Sequence, residues 1–361
     1  MSRRRHFVGT VPCPHPEEGL QTVLRGSDDI TSMSDTESTD GRADWIIPIL
    51  QARTQHANIV ALKGLHYYDR DTFHLWNTCV CMRRPRRDLT YSAMALPYAR
   101  HAEAWFPTFE RVTAALGLGD VLYQVDVAAP FTMAAFTWGP GVFAHYDDEV
   151  AAAVKQIEQV LRITGGRVVF QISAPVETVL TAWAPTAVRE MQAEVMADRI
   201  VGLAAASPAG TEFIVHECVG RPRGKPVTVL KDLGPVADLT SAIVRRWPAG
   251  RVLNAIHLPI GDVTHPAPLD PNYYAPLRWR NVPARVALIA GLANLHVQDS
   301  QQRSALRIAE LAAGRELGVS TPCGLGGDED LLASMIRRTR DLAVMPTTVG
   351  SWDTLIGDRD E

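Results

Sequence analysis

Thr211–Arg221 reads TEFIVHECVGR. Phe213–Val215 make a short apolar strand that runs into His216-Glu217-Cys218 and stops at Gly220. In an extended chain alternate side chains share a face, so His216 and Cys218 point one way and Glu217 the other. An imidazole and a thiolate at that spacing suit zinc, which takes borderline nitrogen and soft sulfur ligands in tetrahedral sites. Two ligands do not complete a site, and a histidine beside a cysteine is also ordinary packing. A second stretch, Gly318-Val-Ser-Thr-Pro-Cys323-Gly-Leu-Gly-Gly327, carries another cysteine out to a glycine-rich turn. A fold that gathers its strand ends on one face brings Cys323 to His216 and Cys218, and a parallel barrel does so.

Outward from this stretch, apolar strand-like runs alternate with helical periodicity. The strands read as His6–Val11, Val121–Val127, Val168–Ser173, Phe213–Val215, Arg251–Leu258, Arg285–Ala290 and Val319–Cys323. An eighth lies in Pro276–Trp279 or before Lys63. Helical patterns cover Glu17–Leu24, Asp44–Arg53, Tyr98–Leu116, Asp147–Leu161, Thr186–Ala206, Leu239–Arg246, Asp299–Leu317 and Glu329–Arg340. Such alternation is the signature of βαβ units, and continuously apolar strands are those of a buried parallel sheet. The expected class is α/β, a (β/α)8 TIM barrel spanning residues 1–361 as one domain. Residues 28–90 hold an elaboration: the polar loop Asp28–Arg42, then an inserted hairpin from Leu62–Tyr68 and Phe73–Met82 around Asp69-Arg-Asp71.

The 361 residues are 46% hydrophobic, enough for one large core. A formal net charge of −4 gives no general attraction for nucleic acid or an anionic membrane. Arg3–Arg5 and Arg83–Arg87 are short basic clusters that read as loop or tail. Five cysteines, Cys13, Cys79, Cys81, Cys218 and Cys323, are an odd count in a long chain and make no disulfide framework. The early arginines lead to no apolar signal segment, and no run approaches 18 apolar residues, so a cytoplasmic protein is expected. Cys79 and Cys81 share a strand face, with packing the simpler explanation than metal.

Several segments together resemble the catalytic barrel of cobalamin-independent methionine synthase and its single-barrel relatives, in the superfamily that also holds uroporphyrinogen decarboxylase. They are Phe7-Val-Gly-Thr-Val-Pro12 with Glu17-Glu18, Glu37 with Gly41-Arg42 and Trp45, Tyr123-Gln124-Val125, Phe170-Gln171-Ile172, His216-x-Cys218 and Cys323-Gly324-Leu325. The resemblance implies that His216, Cys218 and Cys323 are zinc ligands. It implies a zinc that turns a substrate thiol into a thiolate and presents it to a methyl donor, with a methylated folate as the family's donor. It places Gln124, Gln171 and Glu37 in the substrate pocket. Small-molecule thiol and methyl donor are then the partners, with a corrinoid protein or a second copy of the chain as further candidates.

This sequence departs from the family in instructive places. The family's fourth ligand is a glutamate on the strand after the His-x-Cys pair. Here that strand is Val252-Leu-Asn-Ala-Ile-His257-Leu258, so His257 is either a fourth ligand, a base, or a core histidine. Glu217 faces away and suits a salt bridge or helix contact. Relatives carry an aspartate near Ser173, and its loss leaves Glu177 as the substitute carboxylate or implies a substrate without an amine. The second, N-terminal barrel of the full-length synthase is absent from this sequence. Aromatic residues Tyr67, Tyr68, Trp76, Trp138, Tyr273, Tyr274 and Trp279 hint at an aromatic or heterocyclic substrate, and equally suit loop packing. The expected activity is zinc-dependent methyl or alkyl transfer to a thiol, in the demethylating direction for some metabolites. The alternatives are a metal-free lyase or decarboxylase on the same barrel, or a zinc-stabilised binding protein without turnover.

Overall fold

A computed structural model describes residues 2–39, 45–63, 80–83, 94, 96–220, 226–262, 264–279, 281–325, 329–348 and 350–357. The chain opens with β1 (Arg5–His6), α1 (Pro16–Leu24), β2 (Ser32–Met33) and α2 (Ile47–Thr54). Next come β3 (Ile59–Lys63), β4 (Val80–Arg83), α3 (Tyr98–Ala115), β5 (Leu122–Ala128), α4 (Pro130–Trp138) and α5 (Val142–Ile163). The middle of the chain is β6 (Val168–Ala174), α6 (Pro175–Trp183), α7 (Arg189–Ala206), β7 (Glu212–Glu217), α8 (Gly234–Arg246) and β8 (Val252–Leu258). It ends with α9 (Pro271–Tyr274), β9 (Ala287–Gly291), α10 (Asp299–Ala313), β10 (Gly318–Ser320), α11 (Leu332–Ala343) and α12 (Trp352–Gly357).

Eight strands form one parallel sheet in the order β1-β10-β9-β8-β7-β6-β5-β2. A parallel bridge between Arg5 and Ile30, just ahead of β2, brings the two ends of the sheet together. This is the (β/α)8 barrel that the alternation predicts. β3 and β4 pair antiparallel outside it. The pairing runs from Ile59 with Arg83 to Lys63 with Val80, nearer the hairpin's base than the sequence suggested, and its connection lies outside the described residues.

The eighth barrel strand is β2, inside the polar stretch read as a loop, while Ala275–Trp279 forms a 3-10 turn. A two-residue strand with Ser at its first position has no hydrophobic signature of its own. Its neighbours supply the pairing, since Leu122 donates its N–H to the carbonyl of Thr31 at 3.0 Å. α4 and α6 also escaped the sequence reading. Each starts at a proline directly after a strand, Pro130 and Pro175 standing at the first turn where a missing N–H costs nothing.

The register sorts the barrel interior into layers. Alternate residues face inward, and Val169, Ile214, Ala255 and Ile289 form a small apolar cluster separate from the main core. The next inward positions toward the C-terminal ends of the strands are polar: Gln124 and Asp126 on β5, Gln171 and Ser173 on β6, His216 on β7, His257 on β8, Ser320 on β10 and His6 on β1. An apolar plug thus closes the lower barrel, and polar chemistry occupies its mouth. No helix among the described residues is long and apolar enough to cross a membrane.

Candidate metal centre and adjoining cavity

β7 delivers His216, and the chain leaving it delivers Cys218. The turn after β10 delivers Cys323. Their ligand atoms all lie within 4.8 Å of one another. The two sulfurs are 4.0 Å apart, too far for a disulfide. Two thiolates on one tetrahedral zinc, each at about 2.3 Å, would stand about 3.8 Å apart, so the spacing fits the ion. The donor set, one imidazole and two thiols, is the soft and borderline set zinc prefers over oxygen-seeking cations.

The surroundings of the sulfurs fit as well. Gly220 N–H donates to Cys218 Sγ at 3.2 Å, an interaction that favours the thiolate. Gly220 holds φ at +68°, which a residue with a Cβ adopts only with strain. The hydrogen bond with Cys323, then burial, raises the Cys218 thiol well above its ordinary range. A cation between the sulfurs reverses that preference.

His257 stands outside this group of ligand atoms, with both ring nitrogens engaged. Its Nδ1 lies 2.9 Å from His216 Nδ1, and its Nε2 lies 2.9 Å from the Thr321 carbonyl. Burial lowers its pKa to about 4 and lowers that of His216 well below the usual histidine range. Glu217 faces the other way, as period-2 geometry requires. Its carboxyl is buried, accepts a 2.7 Å hydrogen bond from Thr240 on α8, and is raised well above the usual range by burial. The helix contact is therefore its role, and no salt bridge is formed among the described residues.

Beside Ser173 the neighbouring strand places a carboxylate, Asp126. Ser173 Oγ donates to Asp126 Oδ1, Gln171 Nε2 donates to the same oxygen at 2.8 Å, and Trp45 Nε1 donates to Asp126 Oδ2 at 3.1 Å. Burial pushes Asp126 up to about 6 against these three donors. Asp126 also adds, as the smallest contribution, to the upward shift of the Cys218 thiol. The residue was legible in the sequence as the polar position of an otherwise apolar strand, VLYQVDV, in step with Gln124. His6 was missed too. Its Nε2 meets Gln171 Oε1 at 2.8 Å, and its buried Nδ1 has no hydrogen-bond partner among the described residues.

A cavity of about 380 Å³ opens beside Asp126. Asp35, Glu37, Gln124 and Asp126 give it polar walls, and Trp45, Ile46, Ile49 and Leu96 give it apolar ones. Ser34 donates to the Gly9 carbonyl at 3.4 Å, and Tyr123 OH donates to Asp35 Oδ2 at 2.8 Å, holding the strap 34–37 over the barrel mouth. Thr36 and Glu37 sit at φ +75° and +50°. A β-branched residue in the left-handed region costs about 1–2 kcal/mol, and such strain gathers at binding sites.

Of the residues the sequence placed at the substrate, Gln124 and Glu37 line this cavity, and Gln171 is one hydrogen bond from Asp126. Glu177 and Trp138 do not line it. Glu177 is buried between α6 and α4, where Thr132 donates to its carboxylate through both N–H and Oγ1. Trp138 is buried behind α4, donating Nε1 to Glu149 at 3.0 Å and stacking on His145 at 4.2 Å. Both sit on helices that follow strands unrecognised as strand–helix junctions, so their faces were misjudged. Tyr273 and Tyr274 are buried and bonded to the carbonyls of Ile260 and Pro268, which is packing. Tyr67, Tyr68, Trp76 and Cys79 lie outside the described residues, as do the side chains of Cys81 and Trp279.

Glu177 offers a test of its reassignment. Burial raises it from 4.5 to about 7, so the folded protein keeps a proton there that the unfolded chain releases. Stability is then expected to fall by about 3 kcal/mol as pH rises from about 4.5 to about 7 through this group alone. Glu177→Gln can still accept from the Thr132 N–H through Oε1 and can donate Nε2–H to Thr132 Oγ1, and it should flatten that part of the curve, measured as urea stability against pH, with metal content unchanged. An unchanged slope, or lost metal, would contradict this placement.

No protein-family model matches the sequence, and no curated protein matches it. Solved structures do share its shape. A protein from Listeria monocytogenes, provisionally named as a vitamin-B12 independent methionine synthase, aligns over 95% of this chain and 99% of its own with a TM-score of 0.51 and 13% identity. A methyltransferase from Methanosarcina mazei aligns over 94% of each chain with a TM-score of 0.46 and 11% identity. The Listeria structure and this chain share a fold.

Proposed function

We propose that this protein is a zinc-dependent methyl or alkyl transferase that uses a thiol as acceptor. The observation that carries the reading is the His216–Cys218–Cys323 group at the C-terminal mouth of the barrel, where barrel enzymes build their sites, with two sulfurs at tetrahedral spacing. Three protein donors leave one tetrahedral position for a substrate, as in catalytic rather than structural zinc sites. The ion, when bound, supplies the positive charge that makes a thiol with a pKa near 8.5 a thiolate at neutral pH.

The chain's own residues do the rest. Gly220 N–H and the buried setting of Cys218 shield that sulfur, while the half-buried Cys323 leaves the open side of the group reachable from the barrel mouth. Asp126, with Ser173, Gln171 and Trp45 fixing its orientation, offers a carboxylate to a cationic or N–H group of a substrate. Gln124 and Glu37 add polar contacts, and the apolar wall from Trp45 to Leu96 takes the body of the other reactant. The name of the Listeria protein agrees with this reading. A methylated folate, a methylated corrinoid protein and an O- or S-methylated metabolite are the donors to assay.

The test is metal analysis of protein purified without a metal-affinity tag, followed by cobalt substitution. Near one zinc per chain is expected, with cobalt–sulfur charge-transfer bands that shift on adding a small thiol. Metal that ignores thiols would turn the reading to a closed structural site, and protein that binds no metal would overturn it.

A further inference from the structure

We infer that His257 is a positioning residue, which accepts a hydrogen bond from His216 and so fixes the tautomer in which His216 presents Nε2 to the metal. This inference rests on the metal reading above and assigns His257 a role other than ligand.

The argument follows the hydrogens. The Thr321 carbonyl can only accept, so His257 Nε2, 2.9 Å away, carries a hydrogen. A neutral imidazole holds a single N–H, and the 2.9 Å Nδ1–Nδ1 contact has room for one hydrogen between the two rings. His257 Nδ1 is then the lone-pair nitrogen. His216 Nδ1, at 2.9 Å, must be the N–H that donates to it. That leaves His216 Nε2 as the basic nitrogen, the atom a metal needs. Metal-binding histidines in general have the second nitrogen anchored in this way, by a carboxylate, a carbonyl or water. Here the anchor is a second imidazole, itself anchored by a carbonyl.

Two further contacts show that the place is built for that ring. A Cβ added at Gly291 would come within 2.5 Å of His257 Cε1 and 2.6 Å of its Nε2, so the neighbouring strand gives up a side chain to admit it. Thr321 belongs to the turn that carries Cys323, and its hydroxyl donates to the Cys323 carbonyl at 2.7 Å. His257 therefore links the two elements that bring ligands, β7 and the turn after β10.

Three measurements test this. In metal-free wild-type protein labelled with nitrogen-15 histidine, the His216 resonance should show the Nδ1–H tautomer, and an Nε2–H tautomer would overturn the inference. In zinc competition against a chromophoric chelator, His257→Leu should weaken binding about 10–100-fold. His257→Asn, whose Oδ1 stands where Nδ1 was and can still accept, should recover most of that loss. Equal affinity of wild type and His257→Leu would overturn it. X-ray absorption of the cobalt form should show one imidazole, and two would make His257 a ligand and overturn it. Wild-type protein that binds no metal would overturn both this role and the functional reading. The metal-free tautomer then shows separately whether the hydrogen bond exists.

Discussion

Cys323→Ala is expected to remove the metal and the thiol response while leaving the barrel folded. Cys323 sits on the turn after β10, half-buried, and its sulfur contributes one of three donors. Disturbing a residue that merely orients a metal ligand costs 10–100-fold in affinity. Losing a direct ligand should exceed that, so affinity should fall by more than about 100-fold and zinc per chain should drop to a small fraction. The fold should survive, because the large apolar core lies between barrel and helices and the ligands lie at the mouth. Metal content, the cobalt–sulfur bands and the thermal midpoint in chelator check these expectations together. Cys13→Ala is the control. Cys13 is also buried, but its sulfur meets Thr36 Oγ1 at 3.3 Å, away from the ligands, and its loss should leave zinc in place. A Cys323→Ala protein that keeps full zinc would remove this residue from the centre.

Arg53→Met is expected to destabilise the fold by about 3–5 kcal/mol, the usual result of leaving one half of a buried ion pair. Arg53 is 2% exposed and Glu149 1%. The guanidinium grips the carboxylate with both arms, at 2.7 and 2.9 Å, and also reaches Thr137 Oγ1 at 2.7 Å. Trp138 Nε1 donates to the same carboxylate, so four side chains from α2, α4 and α5 share one buried charge pair. Arg53→Met strands the Glu149 carboxylate among apolar neighbours. The double change R53M/E149L removes both charges and should recover more than half of the loss, because neutral replacement of a whole pair costs far less than breaking it. Urea unfolding of the two variants and wild type decides it. A single variant within 1 kcal/mol of wild type would show that the pair does not hold α2 in place. The result bears on function, since residues of α2 form the apolar wall of the cavity.

Much of the centre was readable one residue at a time. The alternation of His216, Glu217 and Cys218 at a strand end set two side chains inward and one outward, and the barrel obeys it. Asp126 and His6 were harder. Their meaning comes from partners 45 to 165 positions away in sequence, Gln171 among them. Glu177 and Trp138 lie away from the cavity for a different reason. An acidic residue or a tryptophan after a strand can turn toward the mouth or into the helix layer, and only the phase of α6 and α4 on the barrel settles which.

The sequence alone determined the class of fold and most of the alternating strands, and it marked His216, Cys218 and Cys323 as residues that could share a metal, because hydrophobic periodicity and ligand chemistry are local properties. Tertiary structure decided where the eighth strand lies, that the Asp126 carboxylate stands beside Ser173, and that His257 stands against His216 with both nitrogens occupied. Those outcomes depend on register between strands far apart in the chain. A one-residue shift in register would turn every one of these side chains to the opposite face.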